Sequence, residues 1–264
     1  MTTFAMGQYF PGDTVIHRLD PRTKLIAVIF YIAALFCAKG IAAYGFVIAF
    51  LLAVILLSCV RLSVLFVTLK PLLIVICLTA FLNLFYTAGE PLASFWIFTI
   101  TKEGLRNAAA MVLRISMLVL GTFLLTYTTS PMDLTDALER LLRPLQRIGI
   151  PVHELSMMMC IALRFIPTLM HETEKLVQAQ KARGADFESG NLIRRAKALV
   201  PILVPLFVSA FRRADELATA MESRCYNGGE GRTKMKQFRF YASDRIALLI
   251  TAAVFSAVLI FAKR

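Results

Sequence analysis

Residues 25–60 read LIAVIFYIAALFCAKGIAAYGFVIAFLLAVILLSCV, from Leu25 to Val60. Only Lys39-Gly40 interrupts this apolar run of thirty-six residues. A helix needs about 20 residues to cross a hydrocarbon core of roughly 30 Å. The run therefore fits two spans joined by a tight turn. The first, residues 25–38, is short and draws on the residues before it. The second, residues 41–60, is full length.

The same pattern recurs outward from this stretch. A third apolar run covers residues 65–86, with Lys70-Pro71 near its start. Proline is tolerated in membrane helices and can kink them. Residues 87–103 form a polar loop with Gly89, Pro91, Trp96 and Lys102-Glu103. Its strand-like Phe95-Trp96-Ile97-Phe98-Thr99-Ile100 suits an aromatic position at a membrane interface. A fourth span covers residues 104–127 and carries Arg114 well inside. That arginine reads either as a functional polar contact or as a snorkelling or helix-contact side chain; its cost in lipid favours the second. The last span, residues 246–262, is bounded by Asp244 and by Lys263-Arg264. The fold class is an all-α integral membrane protein with about five spans.

Composition agrees. The 264 residues are 58% hydrophobic and only 17% charged, with a mean hydropathy of +0.69. Soluble domains are about 45–50% apolar and about 25% charged. Disorder needs low hydrophobicity and is excluded. Five cysteines are too few, and odd in number, for a disulfide scaffold. Cys37, Cys59, Cys77, Cys160 and Cys225 show no metal-ligand spacing and read as reduced thiols, mostly buried in apolar helices. The net charge of +12, from 29 Lys+Arg against 17 Asp+Glu, suits nucleic acid or the positive-inside bias of membrane proteins. Its location decides between them.

Residues 1–24 place His17, Arg18, Arg22 and Lys24 just before the first run. No basic region is followed at once by an apolar one, so a cleaved signal peptide is not expected. Residues 128–243 hold 17 of the 29 Lys+Arg and 12 of the 17 Asp+Glu. Five spans with the N-terminus in the cytoplasm put this insert there too, with Arg61 and Lys70. The opposite loop, 87–103, carries little charge. Topology accounts for the basic excess without nucleic acid, at the cost of leaving Lys263-Arg264 outside. The organisation is a cytoplasmic segment 1–24, a membrane domain 25–127 of about four spans, a cytoplasmic domain 128–243 and a final span in 244–264.

Within the insert, Ser130-Pro131-Met132-Asp133 opens a helix over 131–142. Leu134, Leu138, Leu141 and Leu142 make it amphipathic. Pro144 and Gly149-Ile150-Pro151 break the chain. A long helix over 152–183 follows, with Met157-Met158-Met159 in its apolar half and Pro167 as a kink. Its second half is polar and ends at Ala182-Arg183-Gly184, where Gly184 suits a left-handed cap. Another long helix covers 192–225. Its apolar stretch, 198–211, contains Pro201 and Pro205 and is too short to span. It reads as packing under the membrane domain or against a partner. This helix ends at Ser223-Arg224-Cys225. Arg183 and Arg224 lie 41 residues apart, each between small residues. Each could complement its helix dipole. The parallel contexts weigh toward docking, because small neighbours admit a close partner and the planar guanidinium fork suits carboxylates.

The chain has no GxxxxGK(S/T), HExxH, GxSxG or GxGxxG. His17, His153 and His171 are scattered, and the Met157–Met159 run reads as adaptable packing. Catalysis and ion coupling within the chain are not expected, nor is a metal or a cofactor. A stand-alone secondary transporter or channel is the main alternative, and predicts inverted repeats and polar residues at the midplane. A membrane enzyme predicts acids or histidines clustered at a span end. The spans show little of the first pattern, and the second is not found.

Four motifs together carry a family resemblance over nearly the whole chain. They are His17-Arg18-Leu19-Asp20-Pro21-Arg22-Thr23-Lys24-Leu25, Leu163-Arg164-Phe165-Ile166-Pro167, Ala179-Gln180-Lys181-Ala182-Arg183-Gly184, and Arg213-Ala214-Asp215-Glu216-Leu217-Ala218 leading to Ala220-Met221-Glu222-Ser223-Arg224. The chain resembles the EcfT/CbiQ-like T component of energy-coupling factor (ECF) importers, the ABC-type importers of vitamins and metal ions. The resemblance implies a cell-membrane subunit with two ATPase partners and a membrane-embedded substrate-binding S component. ATP and Mg would sit in the ATPases. It implies that two coupling helices end in Ala-Arg-Gly-type motifs that dock in the ATPases. These fall on Ala182, Arg183 and Gly184, and on Ser223, Arg224 and Cys225, where only the arginine matches. It implies S-component contacts on the apolar halves, at Met157, Met158, Leu199, Leu203, Leu206 and Phe207.

Overall fold

The computed structural model describes residues 9–38, 40–87, 91–95, 98–187, 191–228 and 240–262. Lys39, Trp96 and Lys263-Arg264, which the sequence reading used, lie outside them. Ten helices are formed by these residues: α1 (Val15–Arg18), α2 (Pro21–Cys37), α3 (Ile41–Ser58), α4 (Leu62–Leu69), α5 (Leu73–Tyr86), α6 (Lys102–Thr128), α7 (Pro131–Leu142), α8 (Val152–Ala182), α9 (Leu192–Glu222) and α10 (Ala242–Ala262). Between α5 and α6 an antiparallel hairpin pairs β1 (Pro91–Phe95) with β2 (Phe98–Thr101). The strand-like reading of that loop thus materialises as the one β element among the described residues. Two compact units result, Met1–Ala137 with Gln237–Arg264, and Leu138–Lys236.

In the first unit α2 begins at Pro21, four residues before the apolar run. Asp20 caps it by accepting from the Arg22 backbone N–H at 2.9 Å. Pro21 sits in the first turn, where its missing N–H costs nothing. Capping thus starts α2 before the apolar run and gives it 17 residues, the lower end of what a span needs. At Pro71 the chain tightens into a 3₁₀ turn, Lys70–Leu72, which divides α4 from α5. Proline removes one donor from the helical ladder there. Among the described residues four helices are long and apolar enough to cross a membrane: Ser63–Phe85, Lys102–Thr128, Val152–Ala182 and Ala242–Ala262. Ala42–Ser58 is a shorter apolar helix, and α2 has 17 residues.

α2, α3, α6 and α10 share one core, with Leu35, Val47 and Val258 fully buried. The Tyr31 hydroxyl donates to the Met117 carbonyl at 2.9 Å. Its ring lies so close to Gly121 that a Cβ there would collide with it. Small residues of this kind let membrane helices approach closely. Outward faces carry Leu56, Phe66, Ile74 and Leu249, each at least 70% exposed, as a lipid-facing surface requires. Arg114 donates to the Tyr44 hydroxyl from Nε (3.1 Å) and Nη2 (2.8 Å), so it is a contact between α6 and α3.

The segment before the first span ties three helix ends together. Asp244, fully buried at the start of α10, accepts from the Asp20 N–H at 2.8 Å and the Tyr241 N–H at 2.9 Å. Lys24 donates to the Thr128 carbonyl at 2.8 Å, where α6 ends, and to the His17 carbonyl at 3.2 Å. Arg22 lies 3.7 Å from Asp20, with its guanidinium 5.9 Å from the Phe240 ring centre. Buried charges persist where they are paired and hydrogen-bonded.

One expectation fails. None of the five free cysteines is buried: Cys37 and Cys160 are partly exposed, and Cys59, Cys77 and Cys225 are exposed. In the membrane domain the reason is that lipid, like a protein core, accommodates a thiol on an outward helix face.

In the second unit α8 and α9 are 31 residues each, continuing through Pro167 and through Pro201 and Pro205 respectively. α7, whose residues 131–137 belong to the first unit and 138–142 to the second, is capped by the Ser130 hydroxyl, which accepts from the Asp133 N–H at 3.1 Å. It leads into a 3₁₀ turn, Arg143–Ile148.

Candidate functional site

The two long helices end in the same way. At the end of α8 the Gly184 N–H donates to the Lys181 carbonyl and the Ala185 N–H to the Gln180 carbonyl, both at 3.0 Å. At the end of α9 the Cys225 N–H donates to Glu222 at 2.9 Å and the Tyr226 N–H to Met221 at 3.0 Å. Each partner is displaced by 41 residues. This pattern closes a helix on a left-handed residue. Gly184 holds that position with φ +85°, Cys225 with φ +55°. The two arginines precede these residues and are exposed. The second motif has serine and cysteine where the first has alanine and glycine, but the same backbone hydrogen-bond pattern. A side chain in the left-handed region costs about 1 kcal/mol more than glycine. Cys225→Gly is therefore expected to slow fraying of the α9 end, read as several-fold slower amide exchange over residues 222–226, with the arginine still presented.

A polar pin joins the helices. Glu172 on α8 accepts from the Ser209 hydroxyl at 2.6 Å and from Arg213 Nη2 at 3.1 Å, both on α9. The Ser209 hydrogen bond, then the Arg213 charge, hold the Glu172 carboxyl below its ordinary range. The pin therefore stays ionised above ordinary carboxylate values and is lost only as pH falls through the depressed one. Glu172 is eleven residues before Arg183, and Arg213 eleven before Arg224.

Beside the pin, Ile161, Phe165 and Leu169 of α8 line a groove of about 480 Å³ with Ala210, Leu217 and Met221 of α9. Decreasing numbers on α8 meet increasing numbers on α9. The helices pack antiparallel, and their arginine ends leave the crossing in opposite directions.

The apolar half of α9 presents an unpartnered stripe. Leu199 and Leu203 are each 47% exposed and Phe207 is 62% exposed. Met158 is exposed as well, whereas Met157 and Leu206 are only partly so. Val200, Val204, Val208 and Phe211 extend the stripe and are all exposed. These four lie in the apolar stretch 198–211, and their spacing of three and four residues marks one face. The pairing of Glu172 with Arg213 has no sequence signature, because residues 41 apart give no local signal.

A family model described as cobalt transport protein, CbiQ, matches residues 12–235. The energy-coupling factor transporter transmembrane protein EcfT of Clostridium kluyveri is 55% identical over 246 residues, 92% of this chain and 91% of its own. The protein of that name from Thermosediminibacter oceani is 54% identical over 251 residues, 95% of each chain. That of Bacillus subtilis is 44% identical over 264 residues, 100% of this chain and 99% of its own.

The chain belongs to the CbiQ/EcfT family. The resemblance carried by the four motifs therefore holds along the chain. As a member of the CbiQ/EcfT family it is a multi-pass membrane protein, in keeping with its apolar helices.

Proposed function

We propose that the chain is the transmembrane coupling subunit of an ECF importer in the cell membrane. It links ATP hydrolysis by two ATPase subunits to movement of a substrate-binding S component. The observation that carries this reading is the pair of matched helix ends presenting Arg183 and Arg224 in opposite directions from one pinned crossing. Two like sites facing apart fit the two halves of an ATPase dimer, since a symmetric dimer offers the same groove twice. Ala182 and Gly184, and Ser223 and Cys225, flank the arginines and leave room for the groove walls.

The apolar stripe of α9, with Met158 of α8, would seat the S component. Closure of the ATPases changes the distance between the arginine ends. The pin at Glu172 makes the two helices respond together, and the apolar halves shift beneath the S component. The bound subunit then redistributes between its orientations, because a partner shifts an equilibrium only by differential contact with its states. ATP and Mg belong to the ATPases in this scheme, and the chain itself supplies coupling. The N-terminus and residues 128–243 lie in the cytoplasm, with α8 as a coupling helix. The basic flanks and the charged outer halves of α8 and α9 support that placement.

Purification from native membranes tests the reading. Two ATPases and a small membrane-embedded binding subunit are expected to accompany the chain, with uptake dependent on ATP. A chain that transports alone, without nucleotide, overturns it.

A further inference from the structure

The 3₁₀ turn Arg143–Ile148 has no place in the coupling scheme, yet its surface is built in a definite order. A 3₁₀ helix repeats every three residues, so positions three apart stand in rows. Leu142, Leu145 and Ile148 form one row. Arg143 lies in the row on one side and Arg147 in the row on the other. Ile148 is 80% exposed and Leu142 42% exposed. Arg143 and Arg147 are exposed, and neither is in an ion pair among the described residues. Gly149, with φ +86°, ends the turn and leaves Ile150 exposed beyond it.

An apolar ridge edged on both sides by unpaired guanidiniums matches a membrane interface. The ridge enters the acyl boundary while the arginines keep their charge at headgroup level. Arg143 is fifteen residues beyond Thr128, where α6 ends, and α7 connects the two. Cations within about 15–20 residues of a span end are those that count in the positive-inside bias, so Arg143 lies close enough in sequence for its helix to stay near the bilayer.

We infer that Leu142, Arg143, Arg147 and Ile148 form a lipid-anchoring site that takes anionic phospholipid headgroups. Two guanidinium forks bind phosphate oxygens bidentately, which also explains arginine rather than lysine. The anchor holds the entry to α8 at the bilayer. It rests on the chain's membership of a membrane-protein family and not on either docking arginine.

The test uses the full chain in lipid nanodiscs of phosphatidylcholine, with or without phosphatidylglycerol, and reads amide exchange over residues 142–150. Each basic residue near an anionic surface shifts occupancy about fivefold. Exchange is expected to be at least about fivefold slower in the anionic discs. Arg143→Gln with Arg147→Gln should erase that difference while exchange over α2 and α6 stays unchanged, which shows the chain still folded. Ile148→Ser should weaken protection and leave the charge preference in place. Equal exchange in the two disc types, or protection unaltered by the double substitution, overturns the site. Protection that appears only when ATPase subunits are added also overturns it, and assigns the ridge to a protein contact.

Discussion

Arg183→Ala is expected to release one ATPase subunit from the complex and to uncouple hydrolysis from uptake. Arg224→Ala should do the same at the other end. Truncating a central interface arginine typically costs about 2 kcal/mol or more, near thirtyfold in affinity. Both side chains are exposed and cap no fold contact, so chain yield and membrane insertion should be unchanged. Lysine should restore only part of the loss, because it keeps the charge and gives up the planar fork. The geometry adds a sharper expectation. The two ends share one backbone pattern, so the two alanine variants should be defective to a similar degree despite the divergent letters of the second motif. Recovery of complex and uptake at wild-type levels in both variants would remove the docking assignment. A loss confined to Arg183→Ala would instead mark Arg224 as a helix-end cation only. The checks are quantitative co-purification and the ratio of ATP hydrolysed to substrate taken up in proteoliposomes.

Phe207→Asp should separate the other half of the mechanism. Phe207 stands at the middle of the exposed stripe, with Leu203 one turn before it and Phe211 one turn after. Its exposure means that little of the chain's own packing depends on it. A carboxylate placed there would be buried without a partner once the S component seats. That typically costs about 3–5 kcal/mol, more than a hundredfold in association. The variant is expected to retain both ATPases and lose the S component. Phe207→Leu should keep most of the binding, since volume and polarity change little. An aspartate variant that recovers the S component in full places the contact elsewhere. Because this defect spares the ATPases and the arginine defects spare the apolar stripe, the two variants test separate surfaces.

Much of this arrangement was legible in the residues. The apolar helices α2 to α6 and α10 follow from apolar run length, and α7 matches its predicted bounds because Ser130 and Pro131 are unambiguous start signals. Gly184 disclosed its left-handed turn, since glycine is the usual occupant of that position. Cys225 did not, because no side chain advertises a conformation it disfavours; only the hydrogen bonds reveal that it takes the glycine's place. The pin of Glu172, Ser209 and Arg213 was hidden for a different reason. Each residue reads locally as an ordinary polar position on a helix, and only antiparallel packing brings them together. The thiols were misjudged because hydrophobic composition does not distinguish a residue facing the core from one facing lipid.

The bond between the Asp20 N–H and the Asp244 carboxylate bears on how the protein is made. Its partners are 224 residues apart, at the head of the first apolar helix and the head of the last. During synthesis the first helix emerges long before its partner exists. It must enter the bilayer provisionally, with its capping segment still hydrated. The bond therefore forms only after α10 has been made, and it ties the first apolar helix to that later one. A nascent chain halted before residue 244 thus lacks the carboxylate that accepts from the Asp20 N–H, while the Lys24 bonds to the Thr128 and His17 carbonyls can already form.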